Sequence, residues 1–216
     1  MEQWKNLLPG SIAGKYEFFN FNNALEILTQ SCPALFSEIV DTLSAFEIRI
    51  EDIVEKGGNE SKIPKKLSEL LRPLGWKEIE ISGDLVVRLL EGKKRKEVYR
   101  EFSLKEFISG HKIDYVKENV AVDMEWNSKD QTFDRDLYAF RTFYECGVIS
   151  CGVIITRSES LNQVFASLGA EVKQKYGAST TWMGKLLPRI HARRHGGCPL
   201  FVVGLTPDTV SDWRRG

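Results

Sequence analysis

A chain of 216 residues with 42% apolar content can close an ordinary core and is not a disordered tail. Its 30 basic residues cancel its 30 acidic ones, which argues against a non-specific nucleic-acid coat protein but not against a nucleic-acid enzyme, where acids gathered for a metal offset a basic groove. No apolar run approaches the roughly 20 residues of a membrane span, and the start MEQWKNLLPG lacks the regions of a signal peptide, so a cytoplasmic protein with no membrane partner is expected.

In chain order, residues 22–47 read as two helices. Pro33 suits the first turn of the second, which carries Leu35, Phe36, Ile39, Val40, Leu43 and Phe46 at helical spacing. VEKGGNESKIPKK (54–66) reads as a polar loop, and Leu67, Leu70 and Leu71 mark a short helix. EIEISGDLVVRL (78–89) predicts a β-hairpin turning at Ser82-Gly83-Asp84. Further on, a helix is expected from about Phe133 to Cys146, stopped by Gly147, and another from about Leu161 to Tyr176, stopped by Gly177. VISCGVIIT (148–156) and PLFVVGL (199–205) read as central strands. The expected architecture is α/β (α+β mixed): one domain over 1–216, mainly helical over 1–75, with a mixed sheet flanked by helices over 76–216. Cys32, Cys146, Cys151 and Cys198 form no C-x-x-C pair and read as reduced core thiols.

The chemistry concentrates in DYVKENVAVDMEWNSKD (114–130). Val120, Val122, Met124 and Trp126 alternate with Ala121, Asp123 and Glu125, the pattern of a half-buried strand. Side chains two apart on a strand share a face at roughly 7 Å, since the rise is about 3.3 Å per residue. Two acids so placed repel unless something positive joins them. With Asp114 just upstream, they suit a hard divalent cation such as Mg2+, which takes oxygen ligands and few protein carboxylates. Such an ion activates water for phosphodiester hydrolysis. The plainer reading, acids on a solvent-facing sheet edge, stays open from spacing alone.

These residues carry a family resemblance. Asp114-(x)8-Asp123-x-Glu125 resembles the catalytic pattern of the BglII and BstYI group of type II restriction endonucleases, within the PD-(D/E)XK nucleases. DYVKENVAVDMEW is similar to the group's entry into its catalytic strand, and FDRDLYAF to the helix that follows. STTWMGKLLPRIHARRHGGCPLFVVGLTP (179–207) is similar to its late helix, Gly-rich loop and final strand. The resemblance implies a Mg2+-dependent enzyme with Asp114 and Asp123 as metal ligands and Glu125 where the group has Lys or Gln, orienting or deprotonating water. Asp123 stands where Glu is more usual. A rival register makes Glu125 the acid and Asn127 the third member, with Lys129 nearby.

By the same resemblance, WNSKDQTFDRD (126–136) is a recognition loop, with Asn127, Ser128, Lys129, Asp134 and Arg135 able to read base edges or phosphates. Ser179 and Thr180 join them at the head of the second segment, and Arg193 and Arg194 are expected on phosphates. GGNESKIPK (57–65) could reach the backbone, and KIPKK and GKKRK are further basic islands. His191, His195 and Cys198 lack a fourth zinc ligand, which favours a basic loop there. The implied partners are double-stranded DNA with a GATC-type core, a second subunit in a homodimer, and a cognate DNA methyltransferase as a genetic partner without direct contact. Two alternatives remain: a less specific repair or defence nuclease, and a non-catalytic DNA-binding protein on the same fold.

Overall fold

A computed structural model describes residues 3–55, 61–92 and 97–214. Most of GGNES, expected to reach the DNA backbone, and residues 93–96 of the basic island GKKRK lie outside the described residues.

One six-stranded sheet organises the chain: β1 (Tyr16–Phe21), β2 (Lys77–Glu91), β3 (Glu97–Lys117), β4 (Val120–Glu125), β5 (Cys151–Arg157) and β6 (Leu200–Leu205), in the spatial order β1-β6-β5-β4-β3-β2. β4, β5 and β6 run parallel, and antiparallel strands flank them on both sides. Every residue of these three strands is buried, as parallel strands covered by helices on both faces must be. The helices are α1 (Gly10–Ala13), α2 (Ala24–Ser31), α3 (Pro33–Ala45), α4 (Ile50–Val54), α5 (Lys62–Leu71), α6 (Thr132–Glu145), α7 (Asn162–Ser167), α8 (Ala170–Lys175) and α9 (Met183–His191). Alternate strand residues feed two apolar clusters. Val120, Val122, Val153, Ile155, Phe201 and Val203 join the first, with the N-terminal helices. Ala121, Ile154 and Val202 join the second, with α6 and α9.

The paired helices α2 and α3 meet as expected, with Pro33 opening α3. Other expectations need correction. The hairpin turn is not at Ser82-Gly83-Asp84. β2 runs straight through these residues, Gly83 facing Ile108 across a register shift. The strand continues to Glu91, with Gly92 beyond it at φ 87°. The aromatic strand β1 arises where the first third was expected to be mostly helical, because it closes the sheet edge beside β6. Helix α5 begins at Lys62, capped by the Ser61 hydroxyl, inside what read as a loop. The expected helix over 161–176 is split at Gly169, whose φ of 106° only glycine adopts freely. β5 starts at Cys151, after a turn at Gly147. Cys146 is exposed, while Cys32, Cys151 and Cys198 are buried free thiols.

Candidate active site

Lys117 and Val120 pair across a two-residue turn, Glu118-Asn119, with Glu118 at φ 50°. The register then runs Val116 to Ala121 and Tyr115 to Val122. The pairing ends there: the register of β3 with β2 shifts between Val116 and Ile113, and Asp114 sits at that irregularity, close enough to Asp123 for their charges to interact. Directly opposed residues share a face. Asp123 and Glu125, in phase with Ala121, therefore stand on the α6 side of the sheet.

The strand is not half-buried, however. Asp123 is 6% and Glu125 7% exposed, because α6 closes over the face that the alternation had assigned to solvent. Asp114, on the neighbouring strand, remains exposed. Helix α6 presents Phe133, Leu137, Phe140 and Phe143 to the sheet, and on the same stripe it carries a fourth acid, Asp136, only 3% exposed. Sequence reasoning missed this residue. Its signal was there: an acid at helical spacing within an apolar face has left solvent and needs a reason.

Burial governs the electrostatics. It raises Asp123 well above the ordinary carboxylate range, and the charges of Asp136, Asp114 and Glu125 push the same way, against a 2.8 Å hydrogen bond from the Met124 amide. Burial, then Asp136, raises Glu125 to about 8. Burial also raises Asp136, to about 6, against the pull of Arg135 and of its hydrogen bond with Glu125. Arg135, expected on DNA, instead sits on this cluster: its Nη2 lies 3.1 Å from Asp136 and 3.9 Å from Glu125, while its side chain stays 70% exposed. One cation faces several acids, so burial and mutual repulsion both oppose full ionisation of Glu125 and Asp136.

Among the described residues no three His, Cys, Asp or Glu side chains are already closed around one point as a metal group. The donor chemistry nevertheless fits a hard cation. Glu125 Oε2 and Asp136 Oδ2 are buried with no hydrogen-bond partner among the described residues, and so is Asn127 Oδ1. Buried oxygen acceptors without donors are costly, and a divalent ion is what such oxygens take.

Beyond β4 the expected recognition residues fall into two loops bound to each other. Lys129 and Thr180 form an isolated antiparallel bridge. The Thr181 amide donates to Ser128 O at 2.9 Å, and the Asp130 amide to Ser179 O at 3.0 Å. Ser128 also reaches the Glu125 carboxylate. Asp134 is already engaged: Arg189 donates to it at 3.1 Å and Arg194 pairs with it too. Arg189 and Lys185, which sequence reasoning passed over, sit 3.5 and 3.8 Å from Asp130, making a basic ledge on α9. Arg193 is exposed at a left-handed φ of 56°. The nearby segment is less polar than expected. His195 and Cys198 are buried, with His195 Nε2 3.3 Å from Asn22 Nδ2, while His191 meets Phe21 edge-on.

A mixed sheet flanked by helices, with acids on paired central strands, defines a restriction-endonuclease-like α/β fold. The model of the restriction endonuclease BglII/BglIII family matches residues 16–205, and the chain belongs to that family: it is a type II restriction endonuclease, an enzyme that acts on DNA. No curated protein matched it. Among the described residues no helix is long and apolar enough to cross a membrane.

Proposed function

We propose that the enzyme hydrolyses both strands of a short palindromic site in double-stranded DNA, using Mg2+ and acting as a homodimer. The observation that carries the reading is the buried group of Asp123, Glu125 and Asp136, whose raised pKa values and unpartnered oxygens suit a cation. Asp114 and Asp123 would hold the ion, with Asp136 beside them. When bound, a divalent cation lowers the pKa of water and offsets charge on the leaving oxygen. Glu125 orients the attacking water and, when ionised, takes its proton, with Asp136 beside it. Arg135 stays over the cluster to limit its charge and to meet the scissile phosphate.

Asn127, Ser128, Lys129, Ser179 and Thr180 supply base-edge and backbone contacts, and Arg193 and Arg194 contact phosphates. Arg194 must leave Asp134 to do so. One cluster per subunit cuts one strand, so a double-strand break needs two subunits related by the two-fold of the site. The proposed core is GATC, the location cytoplasmic, and the genetic partner a methyltransferase that guards the same site.

Purified protein incubated with plasmid and Mg2+ tests the reading. Discrete fragments whose mapped ends share one palindrome are expected. A smear would point to a nuclease without strict specificity, and intact plasmid would refute the assignment.

A further inference from the structure

Arg157, the last residue of β5, is 1% exposed and has no carboxylate partner among the described residues. It lies on the face of the sheet opposite the acids, among residues of the first apolar cluster. Its guanidinium sits 5.8, 5.5 and 5.2 Å from the ring centroids of Trp126, Phe165 and Tyr176. Burial lowers its pKa to about 10. A buried cation without an anion is among the costlier things a core can hold, so its hydrogen bonds should show what holds it there. They converge on one segment. Nε and Nη2 donate to Thr181 O at 3.0 and 2.7 Å, Nη2 also to Thr180 Oγ1, and Nη1 to Tyr176 O at 3.4 Å.

That segment is the second of the two bound loops. Thr181, whose carbonyl Arg157 holds, gives its amide to Ser128, and Ser128 reaches Glu125. Trp126, one wall of the aromatic cage, directly follows Glu125 in the chain. Arg157 therefore grips both the strand end that carries the acids and the loop that pairs with the expected recognition loop. A planar fork fixes the direction of several acceptors at once, which an ammonium cannot do.

We propose that Arg157 is a positioning residue that locks residues 176–182 to residues 126–130, so that the fit of this loop pair on DNA sets the placement of the catalytic acids and hence which sequences are cut. The proposal rests on the nuclease reading above. It predicts that loosening Arg157 costs discrimination more than it costs catalysis.

Two measurements test it. Hydrogen exchange needs no substrate: in Arg157→Met, the amides of Asp130 and Thr181 should exchange at least about tenfold faster, while amides of β4 and β6 keep wild-type rates. Thr180→Val, which removes one acceptor and leaves the core intact, should do the same to a smaller degree and serves if Arg157→Met does not fold. Cleavage of a randomised-site plasmid library, read by sequencing the cut ends, should show the preference of Arg157→Lys for the wild-type site over one-base variants falling at least about tenfold, or ~1.4 kcal/mol, with kcat on the best site changed far less. A merely structural arginine would lower the melting temperature and cut all sites less, with the end profile unchanged, and that result would overturn the proposal. So would unchanged exchange at Asp130 and Thr181. If the wild type cuts nothing, the nuclease reading and the specificity half of the proposal both fall, while exchange still decides whether Arg157 holds the loops.

Discussion

The two ends of the sheet are built on opposite terms. β4, β5 and β6 are buried along their whole length, whereas β2 and the first half of β3 form a two-stranded ribbon without one buried residue. On one face of the ribbon Leu85 pairs with Leu104 and Val87 with Phe102; on the other Arg88 pairs with Glu101. The ribbon has an apolar face, then, but among the described residues no third strand or helix buries it. The contrast teaches where chemistry can be held. Acids with raised pKa values need a frame that excludes water and does not yield, and only the covered end supplies one. A lone ribbon is marginal by itself and cannot hold charges out of water.

The largest effect expected from breaking the covered end is chemical. Asp123→Asn should abolish cleavage while leaving DNA affinity near wild type, because the expected DNA contacts lie in the loops. Residual cutting within about tenfold of wild type, ~1.4 kcal/mol in barrier height, would remove Asp123 from the mechanism. Next comes packing. A Cβ at Gly152 would collide with the Phe140 ring, so Gly152→Val must push α6 off the sheet, at about 1–3 kcal/mol or more, and carry Asp136 with it. Urea denaturation should show the destabilisation, and activity should fall further than stability alone explains. A smaller effect is expected at the surface. Arg193→Ala with Arg194→Ala should weaken binding to all sequences and flatten the log-log salt dependence by about one for each phosphate no longer neutralised. An unchanged slope would leave these arginines off the phosphate. Smallest of all, Phe102→Ser in the ribbon should change unfolding free energy by less than about 0.5 kcal/mol. A destabilisation comparable to that of Gly152→Val would show that something covers the ribbon in solution.

The sequence made the acid-bearing strand legible because parity is local: Val120, Val122 and Met124 do share one cluster and Ala121 the other. The burial of that strand was misread because two acids imitate a solvent face, and nothing within the strand says that the next helix will fold back over them. Asp136 was hidden for the complementary reason, since it looks like one polar residue among several in FDRD until the apolar stripe of α6 is traced. Ser82-Gly83-Asp84 has turn chemistry but no turn, because pairing with β3 over a long register outweighs three local preferences. β1 and Arg157 depend on partners far along the chain, β6 and the 176–182 segment, and no periodicity reports those. The likeness of 179–207 to the family marked the second loop without revealing that the first is bonded to it.

The two-residue turn at Glu118-Asn119 also acts as a counting device. Opposed residues in that hairpin alternate faces at each step, so Val116 and Ala121, five apart, share the acids' face, and Tyr115 and Val122, seven apart, do not. Residues facing α6 across this turn can thus stand five apart but not seven. Inserting one residue into the turn would put β3 out of phase with β4 and turn Val116 toward the opposite cluster without altering a single side chain. Which side chains of β3 face α6 is therefore a property of the turn as much as of the residues, and the shortest connection in the sheet sets what stands beside the acids.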